Sequence, residues 1–346
     1  MKPVLKTIDE LGADRWDRFV ENHPHGSVYH TSAWHRVIEK AYGYSPRYLV
    51  LTDEQGEIRA GLPFTTVRNL FLGERMVAFP FSDYCDPLAE TDEHRAELTS
   101  RFFSLAPESG LKGAEIRFYR NADELSEPTI SNFVLDLRSG EEAIFQRFHK
   151  SCIQRVIRKA EREEVEIVSG ATDDDLEAFY QLHLATRRKL GVPSQPLCFF
   201  QHLRNEMGRI GAFELLLARY KGEVVGAHIL LHLKDTAYYR FGASNPDVLW
   251  VGPNHLLFWK AIQSACRAGR DFFDFGRASR HEETLALFKR RWGAVARPLS
   301  YSTSGQSASA VEAASGSVLA GLASSIVRHL PLPMLRFSGA LYRFLA

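Results

Sequence analysis

A hairpin signature occurs twice in this chain, at positions about half its length apart. Tyr48–Thr52 and Glu57–Thr66 are largely β-branched, aromatic or leucine, and Asp53, Glu54, Gln55 and Gly56 separate them. Phe213–Tyr220 and Glu223–Leu233 flank Lys221 and Gly222 in the same way. Apolar runs broken by turn residues read as β-hairpins. Both turns continue as Gly-Glu, a β-branched residue and a nearby glycine: Gly56, Glu57, Ile58 and Gly61 in one, Gly222, Glu223, Val224 and Gly226 in the other. A unit that returns after half the chain points to a duplicated domain, and 346 residues leave room for two domains of about 150 residues each.

The second copy sits in an alternation of helices and strands. A helix is predicted over Asp173–Lys189, then the hairpin, then a strand over Ala237–Gly242. Pro253 opens a helix whose apolar positions are Leu256, Leu257, Trp259 and Ile262, and Gly269 ends it. A strand at Phe272–Phe275, a short helix over Glu283–Trp292 and a last strand near Leu299–Ser302 follow. Strands that alternate with helices define an α/β sheet. Between the two copies, Ser139 and Glu142 form a capping-box pattern, and Ile144, Phe145, Phe148, Cys152, Val156, Ile157 and Ala160 follow at helical spacing. This predicts one long amphipathic helix. Its Arg147, Lys150 and Arg155 have no local acidic partners, so either a solvated face or a phosphate-bearing ligand accounts for them.

Several function classes lose their support. With 43 Lys plus Arg against 42 Asp plus Glu, no global field draws nucleic acid or an anionic membrane, and DNA binding is not expected. The spacing of Cys85, Cys152, Cys198 and Cys266 gives no C-x-x-C pair, as in a reducing compartment. Neither a secretory signal nor an apolar run of about eighteen residues is present, so the expected address is cytoplasmic. No phosphate-binding P-loop, dinucleotide fingerprint or nucleophile elbow is present. His228 and His232 share a strand face without a third ligand, and no metal is expected. From Val318 to Ala346, apolar residues alternate with Arg328, His329, Arg336 and Arg343 without an acidic residue. This tail either packs on the body or lies peripherally on the inner membrane surface.

The segment Phe272–Trp292 is the densest in potential chemistry. Asp274 lies within a strand of phenylalanines, so it is either paired, with Arg277 for example, or raised in pKa for proton transfer. Phe273-Asp274-Phe275-Gly276 and Phe288-Lys289 with Trp292-Gly293, together with Ser32-Ala33-Trp34, Tyr42-Gly43-Tyr44, Leu62-Pro63-Phe64, Phe79 to Tyr84 and the basic stretch Arg155–Glu161, resemble the FemAB family of peptidyl transferases and its acetyltransferase-like relatives. The resemblance covers most of the chain. It implies an α/β architecture of two tandem GNAT-like domains with mixed twisted sheets. The expected spans are 1–138 and 139–302, a linker at 303–317 and an amphipathic tail at 318–346.

The same resemblance implies that an amine attacks an activated acyl or aminoacyl group in a cleft between the domains, with no permanently bound cofactor. Acyl-CoA, an acyl carrier thioester or aminoacyl-tRNA is the implied donor, and a small-molecule or envelope-precursor amine the acceptor. Lys289 matches the family position thought to face the reacting carbonyl, where an ammonium stabilises the oxyanion. Asp274 or Asp83 orients the amine or accepts its proton, and Arg36 and Arg240 meet acceptor phosphate or carboxylate. Trp34, Tyr84, Tyr239, Asn254, His255 and Arg277 complete the expected substrate-binding set. The Leu330–Pro333 tail resembles the branch associated with exopolysaccharide and protein-sorting loci. One departure stands out: where GNAT enzymes carry a glycine-rich pyrophosphate loop, Leu249–Asn254 offers only Gly252. The alternative is therefore a catalytically degenerate pair that binds a precursor or partner at the membrane.

Overall fold

The computed structural model describes residues 2–69, 73–119, 129–305, 318–337 and 339. Its first half runs β1 (Val4–Lys6), α1 (Ile8–Leu11), α2 (Ala13–Asn22), α3 (Ser32–Tyr42), β2 (Arg47–Thr52), β3 (Ile58–Asn69), β4 (Gly73–Val77), β5 (Leu88–Ala89), α4 (Asp92–Glu108), β6 (Gly113–Tyr119) and β7 (Ile130–Asp136). The second runs α5 (Glu141–Arg147), α6 (Arg155–Arg162), β8 (Glu166–Ser169), α7 (Asp173–Leu190), α8 (Leu197–Arg209), β9 (Phe213–Tyr220), β10 (Glu223–Leu233), β11 (Thr236–Ser244), α9 (Pro253–Arg267), β12 (Phe272–Ser279), α10 (Glu283–Arg291) and β13 (Val295–Gly305). Helices Val318–His329 and Leu332–Phe337 follow.

The duplication read from the two hairpins is visible in the pairing. In the first half β2, β3 and β4 form an antiparallel meander, and β6 returns parallel to β4 after α4. In the second, β9, β10 and β11 form the same meander, and β12 returns parallel to β11 after α9. Each half is thus a GNAT-like unit, and both share one mixed sheet of order β1-β2-β3-β4-β6-β13-β7-β12-β11-β10-β9-β8, with β5 on β3. The closing strands are exchanged. β7 follows β6 in sequence but pairs with β12, while β13 follows β12 but pairs with β6, and the two pair with each other. Strand edges that would stand open in each half are covered by the other.

The core crosses the same seam. One apolar cluster joins Trp16, Trp34 and Tyr48 of the first half to Phe179, Phe199, Phe200 and Tyr238 of the second. A second lies beneath α6 and α9 and contains Phe148, Ile157, Phe258, Phe273 and Trp292. Leu335 and Val327 of the last two helices enter the first cluster, and Arg336 pairs with Glu177 of α7 at 2.8 Å. Residues 306–317 of the serine-rich stretch, and 338 and 340–346 of the tail, lie outside the described residues.

The single long helix expected from residue 139 onward is corrected to two. Gly140, at φ +81°, caps α5 in place of Ser139, and the helix ends at Phe148, whose ψ of 146° is extended. One wide π-helical turn, Lys150–Gln154, then leads into α6. The buried Gln154 amide repairs the break, donating to the carbonyls of Phe145 at 3.0 Å and Phe148 at 2.9 Å. Of the positions read from periodicity, Ile144, Phe148, Ile157 and Ala160 are in the core and Phe145 and Cys152 pack against it, but periodicity could not see a break that keeps that face buried. Arg147 is engaged locally after all, donating to Ser139 Oγ and the Asp136 carbonyl.

The seam carries a buried ion network on β6. Glu115 accepts from Arg75 at 2.7 Å and from Arg117 at 2.6 Å, and Arg117 also donates to the Ser82 carbonyl. Burial alone would raise the Glu115 pKa, but the two guanidiniums outweigh it and hold the carboxyl below its ordinary value. Its contribution to stability is therefore present above the ordinary glutamate range and lost as pH falls through the lowered value. Glu115→Gln should reduce unfolding free energy by about 3 kcal/mol at pH 7, measured by urea titration, with the gap to the parent protein closing under acid conditions.

Candidate active site

The site begins as a fault in the sheet. β11 and β12 pair over only Thr236–Tyr238 and Phe272–Asp274, although β11 continues to Ser244 and β12 to Ser279. Past Asp274, β12 slips its register against β7 and passes through Gly276 at φ +75°. That conformation favours glycine, and a Cβ there would lie 3.3 Å from Asp83 Oδ2. Lys289, from α10, fills the fault: its Nζ donates to the carbonyls of Gly276 at 2.9 Å and Arg277 at 2.8 Å, groups that a regular ladder would have satisfied. Beside it the splayed strands and the start of α9 enclose a cavity of about 440 Å³.

Charge is concentrated around this point. Asp83 pairs with Arg240 at 3.1 Å and Arg277 at 3.6 Å, and accepts from Tyr29 Oη at 3.3 Å. Burial would raise the Asp83 pKa, but Arg240, Arg277 and Lys289 together hold it below its ordinary value. Asp274 accepts from Tyr84 Oη at 3.1 Å, Asn132 Nδ2 at 2.8 Å and the Gly276 amide at 2.7 Å. All three donors are neutral. Burial, reinforced by the nearby Asp83 charge, pushes Asp274 up to about 6. Lys289 is pushed down to about 8 by burial, against the opposing pull of Asp83 and Asp274. One carboxyl and an amine drawn toward neutrality, beside a second carboxyl held ionised by its cations, form an arrangement suited to proton transfer and charge stabilisation.

The structure brings most of the expected residues together. Lys289, Asp83, Asp274, Tyr84, Arg240 and Arg277 form one cluster, and the Arg240 guanidinium lies 5.8 Å over Trp34 and 5.4 Å over Tyr29. Tyr239, Asn254 and His255 line the cavity with Lys289. Arg36 stands apart, on α3, donating to Glu206 of α8 at 3.1 Å. Of the two readings left open for Asp274, pairing with Arg277 does not occur, since Arg277 turns to Asp83 and to Tyr301 Oη at 2.7 Å, and the raised pKa is the one the surroundings favour. Tyr29 and Asn132 were not singled out by the sequence, because their roles rest on residues 54 and 142 positions away. Gly252, at φ +84°, serves packing: a Cβ there would meet Val156 Cγ1 of α6 at 2.7 Å. His232 pairs with Glu214 at 2.9 Å. Among the described residues no cluster of three His, Cys, Asp or Glu is placed to hold a metal. A second cavity, of about 430 Å³, lies beside Asp274 and is lined by Tyr84, Tyr119, Tyr238, Asp235 and Arg297.

Comparison with known proteins agrees with this fold. Residues 147–290 match the family model described as an acetyltransferase (GNAT) domain. The chain is 23% identical over 318 residues to the UDP-N-acetylmuramoylpentapeptide-lysine N(6)-alanyltransferase of Weissella viridescens, covering 83% of this chain and 91% of that protein. The crystal structure of FemX superposes with a TM-score of 0.65 at 14% identity, over 86% of this chain and 96% of the other. A tandem GNAT protein from the clavulanic acid biosynthesis pathway superposes with a TM-score of 0.56 at 9% identity, over 88% and 99%. The superposition and the family match together show a fold of tandem GNAT-like units, the second of which is similar to an acetyltransferase (GNAT) domain. Over most of its length the chain is similar to the alanyltransferase in sequence and to FemX in fold. Among the described residues no helix is long and apolar enough to cross a membrane.

The charge coupling gives a signed test. Because Asp83 raises both Asp274 and Lys289, Asp83→Asn should lower both titrations, Asp274 below about 6 and Lys289 below about 8. Side-chain 13C and 15N NMR of the parent and variant proteins reads this directly, and an opposite movement of either group would contradict the coupling.

Proposed function

We propose that the chain transfers an acyl or aminoacyl group from an activated carrier to an amine of a cell-envelope or exopolysaccharide-related acceptor. The observation that carries this reading is the state of Lys289. An ammonium has three donors; two are anchored to backbone carbonyls, and the third is available toward the 440 Å³ cavity that Lys289 lines. A cation fixed in this way stabilises the negative oxygen of a tetrahedral intermediate without having to reorganise. The amine attacks the carbonyl carbon, and its proton passes to the carboxyl pair. Asp274, near 6, is better matched to that task at neutral pH than the ion-paired Asp83. Asp83 orients Arg240 and Arg277 toward the acceptor.

An envelope acceptor is supported by the alanyltransferase relative, whose named substrate is a muramoyl-pentapeptide lysine. Peripheral membrane contact through 318–346 is part of the same proposal. Ile326 and Met334 are 62% and 59% exposed in a segment with no acidic residue, while Leu335 holds it to the body. One observation favours the second reading, a non-catalytic pair that binds a precursor or partner: Gly252, at the place of the pyrophosphate loop, is committed to packing under α6.

The test is to incubate the protein with acyl-CoAs, acyl carrier thioesters or aminoacyl-tRNA, each with amine-bearing envelope precursors, and to read product masses. A new amide identifies the reaction. Stabilisation by a precursor without product from any donor favours the binding reading. With a working pair in hand, Lys289→Met should lower kcat by about 100- to 1000-fold and leave donor affinity within a few-fold, whereas a fully active variant would remove Lys289 from the mechanism.

A further inference from the structure

We infer that the cavity beside Asp274 is a binding site for an organic primary ammonium, which meets Asp274 from the face of the sheet opposite to Lys289. The site does not depend on the transferase reading. Successive residues of a strand point to opposite faces. Tyr238 and Asp274 line this cavity, whereas Tyr239 and Phe275, the next residue of each strand, line the cavity that Lys289 enters. The two chambers therefore stand back to back. What Asp274 lacks on its own side is a cation. Arg240 and Arg277 are paired with Asp83, and Lys289 Nζ is held by two carbonyls. Tyr84, Asn132 and the Gly276 amide, the donors to Asp274, are all neutral. A carboxylate that is only 3% exposed is costly without a counter-charge.

Hydrogen-bonding capacity points to the same ligand. An ionised carboxyl offers about four acceptor positions. Oδ2 receives Tyr84 and Asn132, but Oδ1 receives only the Gly276 amide, which leaves it room for one more donor. Asn132, bonded through Nδ2 to Asp274 and to Tyr119 Oη at 2.6 Å, keeps a buried Oδ1 without a hydrogen-bond partner. Two unfilled acceptors thus share one corner, and the N–H groups of a primary ammonium suit both. The walls add attraction of their own. The rings of Tyr84 and Tyr119 have centroids 4.5 Å apart, and Tyr238 and Phe272 complete an aromatic lining, a surface that draws in an organic cation. Arg297, the one lysine or arginine among the described lining residues, is exposed at the mouth, 5.3 Å over the Phe272 ring, where Asp235 is exposed as well.

The probes are n-butylammonium, n-butyltrimethylammonium and 1-butanol, titrated into the full-length protein with no donor present and read by the 13C signal of the Asp274 carboxyl. The primary ammonium should bind, move that signal and lower the Asp274 titration below about 6. The titratable groups around Asp274, namely Asp83, Lys289, Tyr29, Tyr84, Tyr119 and Tyr238, are the same with and without the probe, so a downward shift reads the added cation. The alcohol has no charge and the trimethylated ion no N–H, and each should bind about 10- to 100-fold more weakly. Asp274→Asn should weaken n-butylammonium by a similar factor, and Thr236→Trp, half-buried on the cavity wall, should block it without altering any charge. No binding, equal binding of the three probes, or a bound ammonium that leaves the Asp274 signal unmoved would overturn the inference and leave the transferase reading standing. Binding as expected, with no amide formed from any donor, would instead overturn the transferase reading. With a working donor, conversion of n-butylamine to its amide marks the bound amine as the acceptor, and recovery of unmodified amine marks a separate ligand.

Discussion

The arrangement of this molecule turns on a buried lysine that replaces a missing strand. Where β12 leaves its neighbours at Gly276, two carbonyls lose their ladder partners, and Lys289 supplies both hydrogen bonds. A charge in that position is tolerable only because Asp83 and Asp274 stand close by, and these acids depend in turn on donors from both halves of the chain. Arg240 and Arg277 come from the second half, Tyr29 and Tyr84 from the first, and Asn132 from the exchanged strand β7. The charged cluster and the seam between the duplicated units are therefore one structure. Breaking a buried charge network by removing one partner is far more damaging than never having formed it, which ties correct assembly of the halves to a competent site.

The strand exchange serves the same end. Had β7 stayed beside β6 and β13 beside β12, two self-contained sheets could have moved independently. With β13 and β7 interleaved between β6 and β12, the first half's Asp83 and Tyr84 are held in register with the second half's Asp274 and Lys289. Preorganisation of this kind is what electrostatic catalysis requires, because donors that need not move at the moment of reaction cost nothing to reorient. The two cavities then lie beside different members of one cluster, one at Lys289 and the other at Asp274.

Much of this was legible in the sequence, and the exceptions have physical reasons. Both hairpins, the helix opened by Pro253 and the strand containing Asp274 were readable, because turn residues and apolar alternation are local signals. The GNAT-like architecture and Lys289 came from the order of short motifs resembling the FemAB family. The break between α5 and α6 was invisible, since Gln154 repairs it by a contact that no periodicity encodes. Arg277 was one partner open to Asp274, the other reading being a raised pKa, yet Asp83, almost two hundred positions away, receives it. Arg36 looked like a ligand-binding cation until Glu206 appeared beside it on α8. Pairings between halves are set by topology, and a single sequence carries no local trace of them.

The most direct test of this account is the structure of the protein bound to a 2-oxoalkyl thioether, a stable analogue of an acyl thioester with the carbonyl retained. The account places the ketone oxygen within about 3 Å of Lys289 Nζ, the alkyl chain between α9 and α10, and the carbonyl carbon open toward Asp83. A ketone oxygen held by any other group, with Lys289 still bonded only to the Gly276 and Arg277 carbonyls, would contradict it and reduce Lys289 to a structural plug in the sheet.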